Sequence, residues 1–231
     1  MSGLSPQVIF TLFNFEITDT VVSTWVMMAM IIIIAILITR FKPALGELIV
    51  EFLTSIIRSV MAEETDITIF LPVLGTLGIF LLFANIFGIF PRMVSPTANI
   101  NTTIALSIIV FFSVHLYGII EKGLWGYLKD FANPIFILPL EIVSQFSRTL
   151  SLAVRLFGNI LSTDLIVAIV FTLIPFIAPL PLAALGMLTG VLQAYIFLVL
   201  ASLYIASAVE VQETEKERRE LKKTIKESSP S

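Results

Sequence analysis

The chain has 231 residues, 57% of them hydrophobic and only 13% charged, with a formal net charge of −3. A soluble domain is nearer half apolar and a quarter charged, and several runs here exceed the ~18–20 apolar residues that cross a bilayer, so the composition excludes a soluble fold and implies an all-α polytopic membrane protein. The absence of cysteine excludes a disulfide framework or thiolate metal site, and the single histidine, His115, excludes a His-rich metal cluster.

Residues 1–20 are short and mixed, with Glu16 and Asp19 but no lysine or arginine. No cleavable signal peptide is expected, because the first apolar run lacks a basic region before it and a small-residue cleavage site after it. Residues 21–39 form the first span, closed by Arg40, Lys42 and the helix-stopping Pro43. Leu45, Leu48, Ile49, Phe52, Ile56 and Val60 then recur at helical spacing, with Glu47, Glu51 and Arg58 between them. That pattern predicts an amphipathic helix over 44–61, lying on the membrane surface or against a partner helix.

Glu63 to Asp66 is a polar break and a plausible helix cap. Residues 67–90 make a second span containing Asn85, residues 91–101 a loop with Pro91 and Pro96, and residues 102–120 a third span. Residues 121–130 read as a short return segment with Trp125 and Tyr127 at interfacial depth, and Asn133-Pro134 opens the next long segment. Two long apolar stretches, about 135–173 and 181–209, flank a hinge containing Pro175, Pro179 and Pro181. As one helix the first would be about 58 Å long, nearly twice a hydrocarbon core of about 30 Å. It is therefore either broken near Gly158 or strongly tilted, and the unbroken register of its polar residues favours tilt.

Residues 210–231 are a charged, partly helical cytoplasmic tail. Eleven of the fourteen cations fall on one side of five crossings (Arg40, Lys42, Arg58, Lys122, Lys129 and the six of the tail), whereas Arg92 stands alone on the other. The bias predicts an outer N-terminus and a cytoplasmic C-terminus for a single membrane domain spanning 1–231.

The most informative stretch is Glu141 to Asp164. Glu141, Ser144, Arg148, Ser151, Arg155, Asn159 and Ser162 share one stripe at about 100° per residue, while leucine, isoleucine and valine fill much of the rest. An arginine mid-helix costs about 2.5–3.5 kcal/mol on insertion scales, so Arg155 is expected to face protein or water. Asp164 lies roughly 180° around the helix and about 13 Å along it. On the residues alone, Arg155 pairing Asp164 and Arg148 pairing Glu141 stay open as structural alternatives. For Asn85 and Gln193 the alternative is interhelical hydrogen bonding. His115 reads best as a structural histidine, and Met27, Met28 and Met30 as packing or lipid contacts.

The run Ser151-Leu-Ala-Val-Arg155-Leu-Phe-Gly-Asn159, the later Gln193-Ala-Tyr-Ile-Phe197 and the earlier Pro96-Thr-Ala-Asn-Ile-Asn-Thr-Thr103 closely resemble the signature of subunit a of F-type ATP synthases. The likeness covers roughly residues 67–209 in matching order. The stretch LPLEIVSQFSRTLSLAVRLFGN, with the short N-terminus, is similar to the bacterial subgroup associated with sodium-translocating, N-type ATPases.

The resemblance implies a stator in the bacterial plasma membrane, its last two helices a tilted hairpin against a ring of c subunits. It implies that Arg155 faces the carboxylate each ring subunit carries. Glu141 and Ser144 would belong to a cytoplasmic half-channel, and Asn159, Asp164 and Gln193 to an outer one. Asn85 would lie at the outer mouth, with Arg148 and Asn99 as accessory positions. The implied partners are the c-ring, peripheral-stalk b subunits, the rest of the complex, the bilayer and translocated H⁺ or Na⁺. No cofactor, metal or nucleic acid is implied, and ATP chemistry would belong to other subunits, since no phosphate-loop sequence is present. Three positions depart from the family pattern: Asp164 replaces a frequent Glu, Asn99 a common Asp, and Gly186 a frequent His or Glu.

Two rivals remain from the residues. A secondary ion transporter with an intramembrane Arg/Asp site would normally show internal repeats, and none is visible. A purely structural scaffold has no reason to place Arg155 amid an apolar helix.

Overall fold

A computed structural model describes residues 8–12, 15–62, 65–88, 94–131, 138–174 and 179–228. Glu63, Glu64, Arg92, Asn133, Pro134 and Pro175 lie outside the described residues, as do the side chains of Lys122, Trp125, Lys129, Pro179 and the cations of the tail.

Among the described residues the chain is an all-α membrane protein apart from one small element. Val8–Leu12 (β1) pairs antiparallel with Phe15–Thr18 (β2). The all-α expectation passed over this hairpin, although Val8, Ile9, Thr11, Phe15 and Ile17 are residue types suited to strands.

Helix α1, Asp19–Phe41, begins where the Asp19 carboxylate accepts the Thr20 N–H at 2.8 Å and ends just before Pro43. It is apolar on every face, so its chain partners cover only Thr20, Ser23 and Met27, while Trp25, Ile32, Ile33 and Ile36 are exposed. Among the three methionines, Met27 is fully buried against Ala84 and Phe87 and Met28 points outward.

Pro43 occupies the first position of α2, Pro43–Arg58, where its missing N–H costs nothing. Only the end of this amphipathic helix is packed, through Ile56 and Ile57, and Leu45, Leu48 and Phe52 of the apolar face remain exposed. The expected cap is present: Asp66 accepts the Thr68 N–H at 3.0 Å and the Thr68 hydroxyl at 2.6 Å, starting a 3-10 turn over Ile67–Ile69. Helix α3, Leu71–Phe87, is consequently shorter than the 67–90 span read from hydropathy.

Helix α4 runs Ile100–Phe131 with a reversal at Gly123 (φ 69°), so the expected return segment is helical and folds back at that point. Helix α5, Leu138–Leu173, is a single helix of 36 residues, about 54 Å long, and passes through Gly158 without a break. Helix α6, Pro179–Ser228, has 50 residues and carries the charged tail as continuous helix, where a partly helical end was expected. By length and composition α1, α4, α5 and α6 can each cross a membrane, with α3 a shorter apolar helix of 17 residues.

The core joins Leu74 and Leu81 of α3, Val110 and Val114 of α4, Leu152 and Leu156 of α5, and Phe197 and Ile205 of α6, with Ile57 of α2 at one end. In lipid such contacts gain little from the hydrophobic effect, so close packing and interhelical hydrogen bonds must hold the bundle. Helix α6 packs against α3, α4 and α5, and α5 lies against both α4 and α6 while burying only a narrow seam of its own surface.

Candidate functional site

That seam fixes the direction of every polar side chain on α5. Leu152, Ala153, Leu156 and Ile160 are buried, which sets the inward face of the helix. Arg155 lies to one side of that face and Asp164 to the other, and both are exposed. Among the described residues, Arg155 has neither an ion pair nor a hydrogen bond through its guanidinium. Around it Leu150 and Val154 are also exposed, so the cation stands in an apolar setting that it cannot share with lipid cheaply.

Arg148, two turns earlier, is differently placed. Its guanidinium carbon sits 5.5 Å from the centre of the Tyr204 ring of α6, a cation–π contact within the chain. The alternative pairing with Glu141 is not the one formed: Glu141 accepts a hydrogen bond from Gln145 Nε2 at 2.9 Å. Glu141 and the half-buried Ser144 lie in the first turns of α5, with Asp164 about 35 Å from Glu141 along the same axis. The acidic residues are thus separated to opposite ends, with Arg155 between them.

Two amides stand out by lacking partners. Asn159 Nδ2, one turn beyond Arg155, and Gln193 Nε2 of α6 are buried donors with no protein acceptor. A buried donor left unpaired costs about 1–3 kcal/mol, so each needs an oxygen that this chain's described residues do not supply.

Asn85 is differently engaged. Its Nδ2 donates to the Gly190 carbonyl at 2.7 Å, and its Oδ1 accepts the Thr97 hydroxyl at 3.0 Å. Ser95 shares a 2.8 Å hydrogen bond with Thr97 and donates to the Ala84 carbonyl. This buried network clasps α3, α6 and the 95–98 turn together, one turn before Gln193 on α6. Asn99 is a helix cap, its Oδ1 accepting the Asn101 N–H at 2.9 Å at the start of α4.

Gly186 also acquires a physical reason. A Cβ there would overlap the methyl group of Thr163, the neighbour of Asp164 on α5. At this crossing a larger residue at 186 requires the Thr163 side chain to shift, so the glycine matches the packing here. Sequence reasoning missed this contact, the Thr97–Asn85 clasp and the Tyr204 platform, because each depends on residues distant in the chain. Only the glycine carried a signal, as a small residue inside a membrane helix. Among the described residues, no group of three or more His, Cys, Asp or Glu side chains is placed to hold a metal ion.

Comparison with known proteins decides what this arrangement belongs to. The family described as ATP synthase A chain matches residues 21–206. The chain belongs to that family. It is 44% identical over 214 residues to ATP synthase subunit a 2 of Bradyrhizobium sp. (strain BTAi1), covering 90% of this chain and 96% of that protein. It is 41% identical over 218 residues to ATP synthase subunit a 2 of Picosynechococcus sp. (strain PCC 7002), covering 90% and 93%. It is 40% identical over 215 residues to ATP synthase subunit a of Albidiferax ferrireducens, covering 89% and 93%. The family match takes in α1 through the membrane part of α6, and leaves outside it the β1–β2 hairpin and the charged extension of α6. As a member of this family, the chain is a multi-pass membrane subunit and not itself a catalyst of ATP chemistry.

Proposed function

We propose that this subunit is the ion-translocating stator of a rotary F-type ATP synthase, passing H⁺ or Na⁺ to and from carboxylates on a ring of c subunits. The observation that carries this reading is Arg155, a permanent cation exposed on an apolar helix and unpaired among the described residues. A guanidinium in a low-dielectric setting favours the ionised form of a facing carboxylate, so a ring site arriving at Arg155 releases its ion. The same charge repels a cation that would otherwise leak past it. Arginine stays charged at every relevant pH, where a buried lysine would not.

Glu141 and Ser144 serve the cytoplasmic half-channel, and Asp164, Asn159 and Gln193 the outer one. The unpaired amides of Asn159 and Gln193 are suited to water along such a path. Asn85 holds the wall of the outer mouth, Asn99 caps the helix beside it, and Arg148 braces α5 on α6 through Tyr204. The N-terminus is outside, the C-terminus is cytoplasmic, and the peripheral-stalk b subunits hold the stator still. A transporter built on an Arg155–Asp164 pair is disfavoured, because the two side chains leave α5 on opposite sides.

The test is Arg155→Ala in the assembled complex. A pair of unit charges at 4 Å and an effective dielectric constant of 20 is worth about 4 kcal/mol, or about 1000-fold, so ATP-driven pumping should fall below detection while hydrolysis by the detached head persists. Coupled pumping by the variant would remove Arg155 from the centre of this reading.

A further inference from the structure

The buried polar network at the end of α3 has a direction, fixed by which of its groups carry hydrogen. The Gly190 carbonyl can only accept, so the Asn85 atom 2.7 Å from it is the amide nitrogen. Asn85 Oδ1 is thereby turned toward Thr97, whose hydroxyl donates to it at 3.0 Å. That donation uses the one hydrogen of the Thr97 hydroxyl, so Ser95 is the donor in the 2.8 Å contact between the two hydroxyls. Ser95 divides its hydrogen between Thr97 and the Ala84 carbonyl, also at 2.8 Å. The result is a one-way relay from Ser95 through Thr97 and Asn85 to Gly190, and all three of its side chains are buried.

The relay ends on the helix that carries Gln193. A Cβ at Gly190 would stand 2.9 Å from Asn85 Cβ, so a side chain at 190 would require Asn85 to shift. Two turns away, Gly78 of α3 meets Leu198 of α6, where a Cβ would lie 3.3 Å from Leu198 Cδ2. An apolar contact of that kind has no direction and lets one helix slide on the other, whereas a hydrogen bond at 2.7 Å holds its geometry. Gln193 comes three residues after Gly190, about 4.5 Å along the axis and about 60° around it. Its Nε2 is buried without a partner, so the backbone beneath it decides where that donor stands.

We infer that Thr97 and Ser95 are positioning residues for ion passage. They lock the Asn85 amide in the one orientation that grips α6 at Gly190, and this sets the depth of the Gln193 amide. Without the Thr97 hydroxyl the Asn85 amide is free to turn over, which sets Oδ1 against the Gly190 carbonyl oxygen and releases the grip. This rests on the outer half-channel reading of Gln193.

The test measures ATP synthesis by the complete complex in proteoliposomes at a fixed membrane potential. Na⁺ at constant pH, and then pH at constant Na⁺, is varied in the lumen, the outer side of the bilayer in this arrangement. The ion that saturates the rate gives an apparent KM. Thr97→Val removes the hydroxyl and should raise that KM about threefold, the equivalent of one average interhelical hydrogen bond in a membrane, and Thr97→Ser should restore it. Gln193→Asn, which withdraws the amide by one methylene, should raise KM by itself, and adding Thr97→Val should raise it no further. The melting temperature should fall equally with Thr97→Val in both backgrounds, which separates position from stability. A parental KM in Thr97→Val, or KM effects that multiply in the double variant, would overturn the positioning while leaving Gln193 in the channel. A parental KM in Gln193→Asn would remove Gln193 from the path and the positioning with it. Should Thr97→Val not assemble, Ser95→Ala takes away only the first hydroxyl of the relay. It must then raise KM in the parent and not in Gln193→Asn, or the inference fails.

Discussion

Helices α1 and α5 are equally bare, with 11% of the apolar stretch of each buried inside the chain, against 44% for α4. Their bareness means different things. Between Asp19 and Arg40, α1 carries no charge, and its exposed isoleucines are at home in lipid. Helix α5 exposes Arg155 and Asp164 among leucines and valines, a surface that lipid does not solvate. Exposure in an isolated membrane subunit is therefore informative only when read with the chemistry of what is exposed.

The largest way to break this contrast is Arg155→Ala, which should abolish coupled pumping. Its mirror image is Ile33→Arg in α1, which puts a cation where only lipid waits. It should cost about 2.5–3.5 kcal/mol of insertion free energy, read as reduced membrane-integrated protein. If α1 accepted arginine as readily as α5, the contrast would fail.

The α5–α6 crossing offers a smaller effect. Gly186→Leu must displace Thr163 and should destabilise the subunit by about 1–3 kcal/mol, seen as a lower melting temperature of the detergent-solubilised protein. Thr163→Gly should restore part of that loss. Asn85→Ala removes two buried hydrogen bonds and should cost about 0.6–1.7 kcal/mol by the same measurement.

The smallest effect belongs to Asp66. Its carboxyl is held below the usual carboxylate range by the Thr68 hydroxyl first, then by the Thr68 N–H, with the Arg58 charge adding weakly. A depressed folded value means that the cap contributes above about pH 4 and is lost as pH falls through the folded value. Asp66→Asn should flatten that acid dependence of melting temperature without changing stability at neutral pH appreciably.

Much of the candidate site was legible in the chain. The stripe from Glu141 to Asn159 has helical spacing, and the unbroken register through Gly158 pointed to one long helix, as found. The caps were legible too, because Asp66 and its Thr68 partner are two residues apart. The N-terminal hairpin was not, since a dozen mixed residues before a strong hydrophobic run offer little periodicity. The return after residue 120 was legible, but its helical form and its reversal at Gly123 were not, because they depend on one backbone angle.

The sequence alone determined that this chain lives in a bilayer, how many apolar helices it has, and that one of them carries a cation it cannot hide, because hydropathy and helical period are properties of neighbours in the chain. Only the tertiary structure decided which way that cation points, that Arg148 rests on Tyr204 while Arg155 stays open, and that Gly186 is small to admit Thr163. Those outcomes depend on which faces of α5 and α6 meet, and that choice is made by packing between residues far apart along the chain.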